Sequence, residues 1–335
     1  MRMDKLRAVW NKYKASNGSG VLIALVVFAV LVELLAGAIN PNANGTFISL
    51  AQLIQILRQQ TYVGIIACGM TFVIITGNID LSVGSQLTLL TVLCAILTWY
   101  DPVMAIFATL LLGALCGLIN GLLVSGLQLN GFLTTLGMSS IYGSLAILAN
   151  SVGRGRAESA LYDFIGTGSV LGIVPVPVII MLVIVVIFAF VLKRTVFGQR
   201  IYAIGSNPQA AHCSGVRSRL SICLSYILCG LCCGIAAVVL IARSVSSNPQ
   251  AATGKEMDVI LAVVLGGTSI AGGVGSIWGT VIGFLFIGVL SAGFTFLGLS
   301  TYAKWIIEGI ILVAALAFDI QKETGGALWL RMKRG

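Results

Sequence analysis

Long uncharged apolar runs, separated by short polar segments, make up most of this 335-residue chain. A membrane-spanning helix needs about 20 predominantly apolar residues. On that pattern we predict helical spans at 21–39, 58–77, 82–100, 102–126, 131–150, 173–192, 220–242, 258–271, 276–296 and 303–319. The predicted fold class is an all-α polytopic membrane protein with about ten transmembrane helices. A single membrane domain covers 21–319, with tails at 1–20 and 320–335.

Composition supports this class. Hydrophobic residues make up 58% of the chain and charged residues 9%, whereas a soluble domain carries about 25% charged residues. The net charge of +9 lies mainly in the tails and in residues 193–219. Membrane topology and anionic lipid headgroups explain that distribution, so we expect lipid as a partner and no nucleic acid.

The longest polar interruption, residues 193–219, predicts which side of the membrane the loops face. Its basic residues are Lys193, Arg194, Arg200, Arg217 and Arg219, and it contains no acidic residue. Short loops with that bias stay in the cytoplasm. Ten crossings that start from the basic N-terminus put this loop and both termini on the cytoplasmic side.

A short helix is predicted inside this loop. Asn207 is a good N-cap, Pro208 suits the first helical position and Gly215 suits a left-handed residue that ends a helix. The predicted helix, residues 208–214, is too short to be stable alone in water. We therefore expect it to rest against the membrane domain or a partner.

Two glycine-rich segments interrupt the spans in the two halves of the chain. Residues 76–85 and 266–276 both end in Val-Gly-Ser, which indicates a weak internal repeat. In transporters, Gly-interrupted helices at corresponding positions often line a water-filled path. The candidate path or gate residues are Asn78, Asp80, Ser82, Gly84, Gly266, Gly267 and Gly273.

Asp80 has no charged neighbour in sequence between Gln59 and Tyr100. An unpaired carboxylate at mid-membrane costs about 2.5–3.5 kcal/mol on insertion scales. Two roles fit. Asp80 caps the following span by accepting from the N–H of Ser82 or Val83, or it belongs to a gate or substrate contact.

Polar side chains elsewhere in the spans are candidate substrate contacts, since hydroxyls and amides can replace water around a polar solute. They are Gln86, Asn120, Thr134, Thr135, Tyr142 and Asn150. Interhelical hydrogen bonds explain each of them equally well. Glycines four residues apart, such as Gly113, Gly117 and Gly121, predict close helix packing.

Other charges and cysteines favour structural roles. Lys304 and Glu308, four residues apart, predict mutual neutralisation. Mixed charges at 154–163 and 243–258 predict a docking surface or a solvated rim. All cysteines except Cys213 lie in apolar runs, so we interpret them as small packing residues and not as metal ligands or redox pairs.

Missing motifs exclude several activities. The chain has no G-x-x-x-x-G-K-[ST] loop and only one histidine, His212. We therefore expect no catalytic residue, no metal site and no cofactor on this chain.

Three segments together carry a family resemblance: residues 69–85, residues 197–211 and residues 256–276. Over residues 58–319 the chain resembles the permease subunits of bacterial ATP-binding-cassette importers for monosaccharides, the ribose, xylose and arabinose class. The resemblance implies a bacterial cytoplasmic (inner) membrane, a second permease copy in a homodimer and an external solute-binding protein. It also implies a cytoplasmic subunit that binds ATP and magnesium.

The resemblance further implies that residues 193–219 couple the permease to that subunit. The matching coupling residues are Gly205, Asn207, Pro208, Gln209, Ala210, Ala211 and Gly215. Two positions depart from the family pattern. Gln209 stands where importers commonly have Glu, and Asn78 stands where the family usually has Gly.

The resulting hypothesis is ATP-driven import of a monosaccharide by alternating access. An ion-coupled secondary transporter is the alternative, with Asp80 as nearly its only candidate coupling residue, and a passive channel is a further one. Ser-Asn-Pro-Gln-Ala-Ala occurs at 206–211 and again at 247–252. We expect the two copies on opposite sides of the membrane and interpret the second as another helix start.

Overall fold

The computed structural model describes residues 18–39, 46–153, 155–170 and 172–323; the tails at 1–17 and 324–335 lie outside the described residues. The helices are α1 (Gly18–Ile39), α2 (Leu50–Ile75), α3 (Val83–Leu97), α4 (Pro102–Gly121), α5 (Gly131–Val152), α6 (Ala160–Thr167), α7 (Val176–Arg194), α8 (Val196–Ser206), α9 (Pro208–Cys213), α10 (Ser218–Ser244), α11 (Lys255–Leu265), α12 (Ile277–Phe296) and α13 (Thr301–Glu323). A π-helical turn, Leu122–Gly126, extends α4. Two short antiparallel strands, β1 (Ser169–Val170) and β2 (Val174–Pro175), precede α7.

The core of the bundle lies where α2 and α10 cross between the other helices. Every residue of α2 from Gln60 to Ile75 is buried. Glycines permit this crowding, because a side chain at Gly69 would overlap the backbone of Cys229 on α10. Along α4, Gly113, Gly117 and Gly121 each face the backbone of α10 in the same way. The predicted packing role of this glycine repeat is confirmed.

Consecutive long helices run in opposite directions, which gives the bundle two ends. One end holds residues 76–82 and 266–276 and is called the break end below. The backbone N–H of Gly273 donates to the carbonyl of Ile75 there, at 2.9 Å. At the opposite end, Arg243 on α10 donates to the carbonyl of Gln59 on α2, at 3.1 Å.

The first helix, α1, the last helix, α13, and the 193–219 loop fit the same alternation of helix direction. Helix α1 ends at the opposite end, where Val32 packs with Leu297 just after α12. Helix α13 begins there as well, because Lys304 in its first turn meets Asp258. Helices α8 and α9 lie at the break end. The arrangement therefore puts the start of α1, the end of α13 and the 193–219 loop on one side.

Five helical segments in the described chain are long and apolar enough to cross a membrane: Pro102–Gly126, Gly131–Val152, Val176–Arg194, Ser218–Ser244 and Ile277–Phe296. The predicted span at 258–271 is wrong as a complete crossing. Helix α11 has 11 residues, which at 1.5 Å per residue is about half of the roughly 30 Å apolar thickness. The helix ends at Leu265, and the glycine-rich segment 266–276 follows it without helical structure.

The second Ser-Asn-Pro-Gln-Ala-Ala copy lies toward the opposite end, away from the first. Ser247 donates to Asn150 at the end of α5, at 2.8 Å. The expected helix start is wrong, because residues 249–254 form turns and α11 begins only at Lys255. The chain turns inward instead, and Ala252 is fully buried with its carbonyl oxygen against Gly84.

We predict that Gly117→Ala lowers the thermal stability of the purified protein in detergent. The added methyl group would overlap the Tyr226 carbonyl on α10, and overpacking of this kind costs about 1–3 kcal/mol. Gly137→Ala on α5 is the matched control, because no atom lies within 4 Å of its added methyl group. Equal denaturation midpoints for the two variants would contradict the packing role of Gly117.

Candidate functional site

Three segments that are far apart in sequence meet at the break end. A side chain at Gly205, near the end of α8, would overlap both the Ile75 carbonyl and the Gly273 amide. Gly272 packs against the backbone of Gly77 with no room for a side chain. The end of α2, the 266–276 segment and the end of α8 are therefore in backbone contact. We call this contact the glycine junction.

Backbone conformation at the junction explains the need for glycine. The φ angles of Gly77, Gly272 and Gly273 are 78°, 92° and 73°, in the left-handed region that residues with a Cβ rarely adopt. Gly267, another predicted path residue, has a φ of 87°. In both breaks, glycines with left-handed φ angles allow the two backbones to come into direct contact.

Tyr202 also belongs to the junction, although the sequence analysis did not select it. Its hydroxyl donates to the carbonyl of Gly275 at 2.7 Å, which ties the middle of α8 to the start of α12. Gly198, Tyr202 and Gly205 are spaced four and three residues apart, so they lie on one face of a helix. That spacing indicates a packed face but does not identify its partner.

Asp80 lies in a fully buried hydrogen-bond cluster between α3, α4 and α5. Its carboxylate accepts from the backbone N–H of Ser82 at 2.9 Å and from the Ser82 hydroxyl at 2.5 Å. The amide of Asn120 on α4 donates to the same carboxylate at 3.2 Å. The predicted hydrogen bond from the Ser82 N–H is therefore present. The predicted N-cap role is wrong, because Ser82 and not Asp80 is the N-cap of α3.

The same cluster contains most of the candidate substrate contacts. The Gln86 amide donates to the Ser82 hydroxyl at 2.7 Å, and the Tyr142 hydroxyl donates to Asn120 at 3.2 Å. Thr135 accepts from the backbone N–H of Leu81 at 3.0 Å. These side chains bond to one another inside a single chain. The exception is the Gln86 carbonyl oxygen, which is buried without a hydrogen bond.

The remaining candidates do not join this cluster. Asn78 is half-buried, and its side chain donates back to Thr76 at 3.2 Å. Thr134 is half-buried near the start of α5, and Asn150 lies at the opposite end with Ser247. Gly84 faces the carboxylate of Glu256, while Gly266 packs on the backbone of Gly279. The structure thus distributes the predicted residues over several places.

Helix α9 presents a small exposed surface beyond the junction. Asn207 caps it by accepting from the N–H of Ala210 at 2.9 Å, and Gly215 after it has a φ of 77°. Ala211 is only 4% exposed and faces inward. The outward residues of the helix are Pro208, Gln209, Ala210, His212 and Cys213. The predicted short helix with its cap is confirmed.

Known proteins are similar to this chain in sequence over most of its length. Residues 52–316 match the family described as branched-chain amino acid transport system, permease component. The chain belongs to this permease family. It is 38% identical over 308 residues to the ribose import permease of Bacillus subtilis, which covers 90% of this chain and 92% of that protein. The Escherichia coli K12 ribose import permease is also 38% identical, with 90% and 93% covered.

Other similar relatives are named for different sugars. The chain is 34% identical to the fructose import permease of Rhizobium meliloti, with 89% of this chain and 83% of that protein covered. It is 34% identical to the D-allose transport system permease of Escherichia coli, with 92% of each covered. The resemblance to importer permeases of the monosaccharide class is confirmed. No solved structure matches the chain significantly.

At the opposite end of this permease, a buried ion cluster joins α11 to α13. Asp258 accepts from Lys255 at 2.7 Å and lies 3.5 Å from the Lys304 ammonium. Lys304 also pairs with Glu308 at 3.2 Å, as its spacing predicts. The long-range pair with Asp258 has no local sequence signal. Because Asp258 is 2% exposed, it does not belong to a docking surface or a solvated rim.

We predict that Asp80→Ala destabilises the permease, because it leaves the Ser82 and Asn120 donors without their acceptor. Each buried unpaired group costs about 1–3 kcal/mol. Thermal denaturation in detergent measures the effect, with Asp80→Asn expected between the parent and Asp80→Ala. Asp163→Ala, at an exposed position of α6, is the control and should stay within about 0.5 kcal/mol of the parent. Parent-like stability of Asp80→Ala would show that the cluster has no structural role.

Proposed function

We propose that this permease is the membrane subunit of an ATP-driven importer that carries a monosaccharide. The observation that carries the proposal is the capped helix α9, exposed on its outer face and connected through α8 to both glycine breaks. An exposed short helix of this kind offers a rigid contact for a soluble subunit. The chain has no P-loop of its own, so the proposed ATP and magnesium are bound by that separate subunit.

The names of the relatives support a sugar as the substrate. Ribose, fructose and D-allose appear in the names of relatives that are 34–38% identical over about nine-tenths of this chain. The family description mentions branched-chain amino acids, but it covers the whole permease family. Sugar transport is therefore the better-supported proposal for this chain.

We place the break end in the cytoplasm of a bacterium whose inner membrane holds the protein. The basic residues of the 193–219 loop support that orientation, because short loops rich in Lys and Arg stay inside. Both tails are then cytoplasmic, and the connections from α5 to α7 and from α10 to α11 lie on the outer side of the membrane. An external solute-binding protein would deliver the sugar to that outer face.

Transport in this proposal is alternating access by two copies of the permease. Closure of the ATP-binding subunits would move α9, and the left-handed glycines of the breaks would absorb the change in backbone angles. The cluster around Asp80 uses its polar groups within one chain, so it forms a fixed part of each copy. The path is then expected between two such rigid units.

A secondary transporter is less well supported. Ion coupling usually relies on buried ionisable residues in the spans. Among the described residues, buried Asp258 and Glu308 are paired with Lys304, and Asp80 is surrounded by hydrogen-bond donors. This arrangement accounts for each of these charges without a transported ion.

We predict that Ala210→Glu prevents the ATP-binding subunit from co-purifying and lowers sugar uptake at least about tenfold, a loss of ~1.4 kcal/mol or more. Ala210 is exposed on α9, so a carboxylate there disturbs a partner contact without entering the core. Ala210→Ser is the matched control. Ala211→Glu is unsuitable, because it would bury a charge within the chain.

The measurement is affinity purification from the native host with mass spectrometry, alongside uptake in cells. Retention of a P-loop ATPase by Ala210→Glu together with normal uptake would contradict a partner surface on α9. Absence of any ATPase from the parent complex would contradict the importer proposal itself.

We predict that uptake of radiolabelled ribose, fructose or allose stops when ATP is depleted and continues when the ion gradients are collapsed. ATP drives the proposed transport, and the buried carboxylates Asp80, Asp258 and Glu308 all have partners within the chain. Cells that express the parent are compared with cells that lack the gene, each treated with a protonophore or starved of ATP. Loss of uptake with the protonophore while ATP stays constant would favour the secondary transporter.

A further inference from the structure

We infer that the face of α8 formed by Tyr202 and Gly205 transmits movement of α9 to both glycine breaks at once. The inference rests on the proposed function, because it requires that a partner moves α9. It adds a specific route within the chain, and it gives Tyr202 a positioning role. The argument follows three links, from α9 to α8, from α8 to the breaks, and from the breaks to the spans.

The first link is short and well capped. Only Asn207 separates α8 from α9. Its backbone N–H donates to the Ala203 carbonyl at 3.1 Å, and its side chain accepts from the Ala210 N–H at 2.9 Å. One residue therefore closes one helix and opens the next. A displacement of α9 is transferred to the end of α8 because no flexible linker lies between them.

The link after α9 is different. Gly215, which follows the helix, has a φ of 77° and nothing within 4 Å of the position of a Cβ. Residues 214–217 are largely exposed before α10 begins at Ser218. The N–H groups of Gly215 and Val216 donate to the carbonyls of His212 and Ala211, both at 3.0 Å. These bonds close the end of α9, and any movement of α9 relative to α10 falls on the exposed residues around them. The route through α8 is the more direct one, because a single residue separates α8 from α9 while four separate α9 from α10.

The second link is the glycine junction. A methyl group on Gly205 would overlap the Ile75 carbonyl, and a methyl group on Gly273 would overlap Ser206. Backbone atoms in such close contact transmit small displacements, because packed interiors have low compressibility. The Tyr202 hydroxyl adds a directional contact to the Gly275 carbonyl, at 2.7 Å.

The third link joins the two breaks to each other. The Gly273 N–H donates to the Ile75 carbonyl at 2.9 Å, so the second break is bonded to the end of α2. Gly77 and Gly272 are in contact and both have left-handed φ angles. Hinges absorb changes in φ and ψ at a few such residues. A single displacement at Gly205 thus reaches the end of α2 in the first break and residues 272–273 in the second.

The test is deuterium exchange of the complete complex, purified with its ATP-binding subunit, without nucleotide and with ATP plus orthovanadate. In the parent, amide exchange in residues 72–79 and 266–276 should change about tenfold between the two states. In Gly205→Ala and Tyr202→Phe that change should be lost in both segments, while the ATP-binding subunit stays bound. Gly309→Ala, with open space around the added methyl group, is the control and should behave as the parent.

Two variants are used because Gly205→Ala could disturb folding. Tyr202→Phe removes one hydroxyl and adds no bulk, so it tests the same route without that risk. A parent-like response of both segments in Tyr202→Phe and Gly205→Ala would overturn the inference and leave the proposed function intact. A parent complex whose breaks do not respond to nucleotide would also overturn it. Failure of the parent to retain an ATP-binding subunit would instead count against the proposed function.

Discussion

Close backbone contact between helices is the constraint on which this structure depends. Lipid is as apolar as the helix surfaces, so helix association in a membrane relies on van der Waals packing and hydrogen bonds. Glycine supplies that packing along α4 and α10, where Gly117 lies against the Tyr226 carbonyl. The same device forms the junction of Gly205 with Gly273. Packing and the proposed movement therefore have one physical basis.

Tight packing leaves polar groups inside the bundle that must find partners in the chain. The Asp80 carboxylate is surrounded by donors from Ser82 and Asn120. Asp258 is neutralised by two lysines from different parts of the chain. Both arrangements place several polar groups together, because a single one buried alone would cost several kcal/mol. The location of these clusters follows from the helix contacts that bring their members together.

Local sequence signals predicted local structure well. The Asn207 cap, Pro208 and Gly215 fixed the bounds of α9 to within one residue, because capping depends on residues a few positions apart. The second Ser-Asn-Pro-Gln-Ala-Ala copy failed as a helix start. In the structure Ala252 is buried against Gly84 of α3. That contact joins distant parts of the chain, so the six-residue motif alone could not predict it.

The candidate site could be predicted only in part for the same reason. Charge spacing identified the Lys304 and Glu308 pair, but Asp258 lies 46 residues before Lys304 and completes it from another helix. Polar residues in the spans were correctly singled out as a set. Their type did not show that Gln86, Asn120 and Tyr142 would bond to one another, because hydroxyls and amides suit a solute and a neighbouring helix equally well.

The two Val-Gly-Ser segments show how a short repeat differs from structural equivalence. Val83 begins α3, so the first copy forms the first helical turn, whereas Ser276 is the N-cap of α12 and the second copy precedes its helix. The two copies of this motif are thus not structurally equivalent. What the two segments share is the contact between Gly77 and Gly272. Because both breaks meet at that contact, one helix end at Gly205 is sufficient to reach them both.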